Sequence, residues 1–284
     1  MRLTGRAHDE DKFLEQILAN PAVQAGVAPF LAALIVAVAL SPLRLGGLAA
    51  IAAFLVGMHL VTGIQFTPLT ATRKLVLLAV VAAMAGPFLD FVLKPTRFGV
   101  VLVALVAGCG ALWALWPVIV QKPAQQAWLM AGSATVAVAA MVGFAQAWLA
   151  ADAIRAGAAA LGLGLGAGVA AVLGASLSYG LYGVALGAGA GGFLLPQMIR
   201  GKRTAAGATF ALPAMTIGGF VAVGAMVLAQ LPWYSVLILA LIPAAVRLPG
   251  PDSGPVWLQA VVFSLYGFVI AGVACALAWP SPQP

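Results

Sequence analysis

The stretch ALGLGLGAGVAAVLGASLSYGLYGVALGAGAGGFLLPQ, residues 160–197, runs 38 residues without a charge and contains eleven glycines. A helix that is apolar on every face belongs inside a large core or a membrane. The rest of the chain chooses between them. Of 284 residues, 63% are hydrophobic and only 7% charged, and mean hydropathy is +1.09; soluble domains carry about a quarter charged residues. The bilayer is the solvent for this sequence. No polar stretch after Pro21 is long enough for a soluble module, so residues 22–284 are expected to form one integral membrane domain behind an N-terminal segment, 1–21.

The net charge of +7 does not point to nucleic acid, because the fourteen basic residues are scattered in ones, twos and threes between apolar runs. Basic residues so placed anchor loops to anionic lipid. Cys109 and Cys275 both lie within apolar runs and suggest neither a disulfide framework nor a metal pair. No cofactor or metal is expected.

Asp9, Glu10, Asp11 and Glu15 sit where a secretory signal would be basic, so the N-terminal segment is expected to remain in the mature protein. Phe13, Leu14, Ile17 and Leu18 share one face at helical spacing, which predicts a short amphipathic helix lying on the membrane surface and ending at Asn20-Pro21. Ten apolar runs follow: 22–42, 46–66, 74–93, 98–119, 127–149, 155–174, 178–198, 211–230, 233–248 and 256–278. Most are about long enough to cross ~30 Å of hydrocarbon at 1.5 Å per residue. Trp128 with Trp148, and Trp257 with Trp279, are spaced to mark the two interfaces. The runs are continuously apolar and do not alternate, which excludes a barrel. The expected fold is therefore all-α, a polytopic transmembrane bundle of about nine or ten segments.

Orientation is less simple. With a cytoplasmic N-terminus and ten crossings, six basic residues fall inside (Arg2, Arg6, Lys12, Arg73, Lys74, Lys122) and eight outside (Arg44, Lys94, Arg97, Arg155, Arg200, Lys202, Arg203, Arg247). If 155–198 made one net crossing through a helix and a re-entrant piece broken near Ser176, Ser178 and Tyr179, the ratio would become ten to four. Two ordinary packed helices are the other option for this stretch, and both stay open.

Gly183, Gly187 and Gly191 recur every four residues, as do Gly162 with Gly166 and Gly164 with Gly168. Such stripes let helices approach backbone to backbone, within the chain, against a membrane-protein partner or in a homo-oligomer. The Gly162 to Gly166 alternation is not a dinucleotide loop, since no strand precedes it and no acidic residue follows about twenty positions on.

Few residues could support chemistry in the membrane. Gly174-Ala175-Ser176 with Gly180 resembles the glycine-cushioned serine of rhomboid proteases, but residue 177 is Leu where that motif has Gly, and no histidine on a later helix offers a base. His59, Thr62 and Gln65 share a face of the second run and suggest a polar path, His59 being able to change charge near neutral pH. Asp90 precedes Lys94 by four residues and Asp152 precedes Arg155 by three, so each acid is expected to pair along its own helix end. Asp90, Ser176, Ser178, Tyr179 and Tyr182 complete the polar candidates. Arg200, Lys202 and Arg203 form the densest basic cluster, suited to lipid headgroups or an anion. The ninth run is short and holds Pro243, which predicts a kink near Tyr234 and Pro243.

No cluster of His, Asp, Glu or Cys at catalytic or ligand spacing is legible, so an enzyme is not expected. In length and segment count the chain resembles the drug/metabolite transporter superfamily, which implies small-solute transport, although no motif or five-plus-five repeat is visible in the sequence. The expectation is a transporter or channel of the bacterial inner membrane with a cytoplasmic N-terminus. The alternative is a non-catalytic membrane subunit or assembly factor.

Overall fold

The computed structural model describes residues 20–279 except 65–66, 68–69, 94–95, 202–203 and 252–253. The expected surface helix near residues 11–18 lies outside them. Ten helical segments and no strand occur among the described residues. They are α1 (Val23–Ala39), α2 (Gly46–Thr62), α3 (Ala71–Phe91), α4 (Arg97–Ile119), α5 (Ala124–Leu149), α6 (Ala153–Leu173), α7 (Leu177–Arg200), α8 (Gly207–Leu228), α9 (Trp233–Ala245) and α10 (Val256–Ala278). Seven are long and apolar enough to cross a bilayer; α1, α2 and α9 are shorter. The chain is a multi-spanning, all-α membrane protein.

Successive helices reverse direction across short connections. We call the end where α1 begins end A and the opposite one end B. Residues 153–173 and 177–200 are two continuous helices, so the glycine-rich stretch contains no re-entrant piece. The turn between them is tight: Ala175 adopts φ +68°, Ser176 N–H donates to Ala171 O at 2.9 Å, and the Ser176 hydroxyl accepts from Tyr179 N–H at 3.4 Å. A left-handed residue followed by a serine cap ends one helix and starts the next within three residues.

Local chemistry sets the other boundaries similarly. Thr70 caps α3, Thr96 caps α4, and Asp152 accepts from Ile154 and Arg155 N–H to cap α6. In α9 the helix breaks after Leu239 and resumes at Ile242, just before Pro243, as the proline predicts. Its 13 residues cover only about 20 Å. The carbonyls at its end B would lie in a poor solvent. Arg155, on α6, meets them: its Nη1 donates to Val246 O at 2.6 Å and Leu248 O at 3.1 Å, while its guanidinium lies 4.0 Å from the Phe263 ring centre. The expected Asp152–Arg155 ion pair is present at 3.5 Å. A cation at a helix C-terminus is favourable, here all the more for being buried.

The helices sort by depth. α8 is enclosed along nearly its whole length, whereas α3, α4, α5 and α10 bury less than half of theirs. Met84, Phe98 and Val106 stand well exposed, as apolar residues do where a bilayer replaces water. α6 and α7 form the most extensive pair. A Cβ added to Gly183 would sit 2.5 Å from Gly168 Cα, and one added to Gly164 2.6 Å from Gly187 N. Gly191 is different: its nearest neighbour is the Phe30 ring of α1, at an ordinary 3.6 Å. Across the two halves of the chain, α2 packs on α7 and α3 on α8, and α1–α2, α6–α7, α4–α5 and α9–α10 each pack as hairpins. Five helices per half invert the second half relative to the first. The symmetry is incomplete, because α1 packs on α7 while α6 packs on α8 and α10.

Candidate functional site

Four helices, α2, α3, α7 and α8, surround two spaces of very different size. At end B, joined by α1, they line a cavity of about 530 Å³. Toward end A, they line a void of about 10 Å³, room for a single water.

The larger space is built from helix ends. α1 stops at Leu40, and a turn through Ser41–Leu43 leads to Arg44, held in the left-handed region at φ +58°. A non-glycine residue there is strained. From α7, Phe193, Gln197 and Arg200 face the same cavity, and Arg200 Nη1 donates to Ser41 Oγ at 2.9 Å. Thr204 Oγ1 donates to Gln197 Oε1 at 2.9 Å. Asp90 of α3 reaches across to the start of α8: one oxygen accepts from Ala208 N–H at 2.8 Å, and the other from Thr209 N–H at 2.8 Å and the Thr209 hydroxyl at 2.6 Å. Asp90 is thus the N-cap of another helix, supplied from outside it, and its charge meets the positive end of that helix. Gly207 sits at φ +69°, and any Cβ there would strike the Asp90 carboxylate. Phe193 is the aromatic contact of the cavity wall on α7. Phe193 and Phe210 stack with ring centres 3.9 Å apart, and Phe210 is completely buried.

The smaller space is closed by tyrosines. Tyr182 OH shares a hydrogen bond of 2.8 Å with Thr62 Oγ1 of α2, and Tyr179 OH one of 3.2 Å with Thr72 Oγ1 of α3. The two tyrosine rings meet edge to face at 5.8 Å, and Tyr182 meets Phe54 in the same way at 6.0 Å. Each ring is buried while its hydroxyl is partnered, which is how tyrosine is accommodated in an apolar interior. The first two turns of α7 are thereby bonded to α2 and α3.

The polar candidates therefore divide. Thr62, Tyr179 and Tyr182 are brought together at end A; Asp90 and Arg200 face the cavity at end B. His59 is exposed on the outside of α2 and Ser178 on the outside of α7. Ser176 is occupied as a helix cap. Gln65, Lys202 and Arg203 lie outside the described residues. Six polar participants were not singled out from sequence: Ser41, Arg44, Thr72, Gln197, Thr204 and Thr209. The only cue for Arg44 was its place between two segments, which any loop arginine shares.

A second cavity at end A, about 510 Å³, lies off this axis between α5, α8 and α9 and includes Lys122, Gln126, Gln230 and Trp233. Among the described residues no group of three or more His, Cys, Asp or Glu side chains could hold a metal. The protein matches no model of a known family, and neither curated proteins nor solved structures yield a match.

Proposed function

We propose that the chain is a small-solute transporter of the bacterial inner membrane, with its vestibule open at end B and its path shut toward end A. The observation that carries this is the shared lining of the two spaces: the same four helices enclose a cavity large enough for a small solute and, further along, a void that admits only water. Phe193 lines the larger space and the tyrosine cluster closes the smaller one. α7 bears residues of both linings, and its glycine face against α6 provides close contact with little side-chain interlock, which suits a helix that shifts between two positions. The pairing of α2 with α7 and α3 with α8 resembles the crossing of inverted halves in transporters that bind at a repeat interface.

Charge favours end B as the cytoplasmic side. Among the described residues, with Arg155 set aside because it is turned onto the α9 carbonyls, four basic side chains lie toward end B (Arg44, Arg97, Arg200, Arg247) and three toward end A (Arg73, Lys74, Lys122). On this reading Val23 lies on the outer side, whereas the expectation from the sequence was a cytoplasmic N-terminus.

Purified protein in proteoliposomes, offered labelled carboxylates, phosphates, amino acids and amines, is expected to take up one class saturably. Gln197→Trp, which fills the vestibule, is expected to abolish that uptake. Another observation favours the subunit reading: two hydroxyls within α5 bond back to their own helix, Ser133 donating to Leu129 O and Thr135 to Ala131 O. Uptake of no class, together with stoichiometric co-purification of another membrane protein, would support that reading in place of transport.

A further inference from the structure

We infer that the end B cavity recognises a phosphate-class oxyanion through Arg44 and Arg200; this rests on the cavity being the solute vestibule. The two arginines come from different parts of the chain, the α1–α2 turn and the end of α7, and line one space. They are linked through Ser41, which accepts from Arg200 and lies three residues before Arg44. Neither has a carboxylate partner among the described residues, where Asp152–Arg155 is the only ion pair. The one acid in the cavity, Asp90, does not neutralise them, because both its oxygens are taken by the first turn of α8.

Two guanidinium groups facing one cavity carry an excess of positive charge and several free N–H donors. Planar forks of this kind match the oxygens of phosphate in paired hydrogen bonds. Arg44 sits in the left-handed turn after α1, with its side chain exposed at the cavity and without a protein partner among the described residues. Gln197 and Thr204 bond to each other on the cavity wall and leave donor capacity for further oxygens. Phe193, backed by the buried Phe210, gives the cavity an apolar contact for the rest of the molecule. A small organic phosphate fits this lining, with its charged group at the two arginines and its carbon skeleton toward Phe193.

The phosphate could belong to a free solute or to a lipid headgroup, and two arms separate these sources. In the first, protein in a maltoside detergent is titrated with inorganic phosphate against chloride at equal ionic strength. The unfolding temperature of the wild type is expected to rise by roughly 3 °C near saturation. Arg44→Gln and Arg200→Gln should each raise the half-saturating phosphate concentration at least about tenfold, the loss of one charge-assisted pair. Arg247→Gln, which removes a cation at the same end stacked 5.4 Å from Trp148, should leave the titration unchanged. In the second arm, native mass spectrometry counts phosphatidylglycerol retained by wild type and variants. A phosphate response lost in the arginine variants supports a free oxyanion. Absence of that response, with one lipid bound by wild type and none by the variants, supports a headgroup at the same site. Equal behaviour of wild type and both arginine variants in both arms overturns the inference. Failure of the transport reading looks different: phosphate binds at these arginines but no solute class is taken up. Uptake of a neutral solute without any anion response would leave transport standing and remove this site.

Discussion

The two ends of α7 solve opposite problems with similar materials. At its start, Tyr179 and Tyr182 turn hydroxyls onto Thr72 and Thr62, and the space they enclose shrinks to one water. At its other end, Phe193, Gln197 and Arg200 stand back from α1, α2 and α3, and the gap widens to about 530 Å³. Helix length does not explain the difference. At end A, aromatic rings fill the crossing and have partners for their polar tips; at end B, Asp90, Gln197 and Thr204 bond along the wall while Arg44 and Arg200 line the open space.

Between these ends α7 rests on α6 through glycine, and disturbing that contact should have the largest effect. Gly183→Ala places a methyl 2.5 Å from Gly168 Cα, so the helices must separate; a loss of about 2–3 kcal/mol is expected, read from unfolding in detergent. Gly191→Ala, with 3.6 Å to Phe30, should stay within about 0.5 kcal/mol. Equal effects would show that the stripe is not what holds α7 on α6. At end B, Asp90→Ala removes three hydrogen bonds from the start of α8 and should cost about 1–2 kcal/mol, with Asp90→Asn costing less; hydrogen exchange should rise first at Ala208 and Thr209.

At end A, a double-mutant cycle of Tyr182→Phe and Thr62→Val should return a coupling near 1 kcal/mol. The matching cycle of Gln197 and Thr204 at end B, where water can replace the lost bond, should return less. A larger coupling at end B would reverse the assignment of sealed and open ends. The smallest effect belongs to His59. It is exposed on the outer side of α2, and His59→Ala is expected to change stability by no more than about 0.5 kcal/mol and uptake not at all.

Particular residues show where sequence reading reached and where it stopped. The kink before Pro243 was legible because a proline removes a backbone donor wherever it stands. The start of α8 was not: its apolar run begins near residue 211, yet the helix begins at Gly207, because the cap comes from Asp90, more than a hundred positions earlier. The count of basic residues left the path of 155–198 open for a related reason. It treats every loop arginine as an anchor to headgroups, but Arg155 is turned inward onto the carbonyls of α9. Likewise, spacing placed His59 on one face with Thr62 without saying which way that face turns.

By itself the sequence determined the solvent, the helical class and the approximate limits of ten segments, since these follow from the apolarity and length of each run and the need to satisfy every backbone group within its own helix. Only the tertiary structure decided which polar groups meet. Asp90 with Thr209, Tyr182 with Thr62, and Arg200 with Ser41 each join parts of the chain far apart in sequence. Their encounter depends on which helix faces touch, and in a chain apolar on nearly all faces no sequence pattern records that choice.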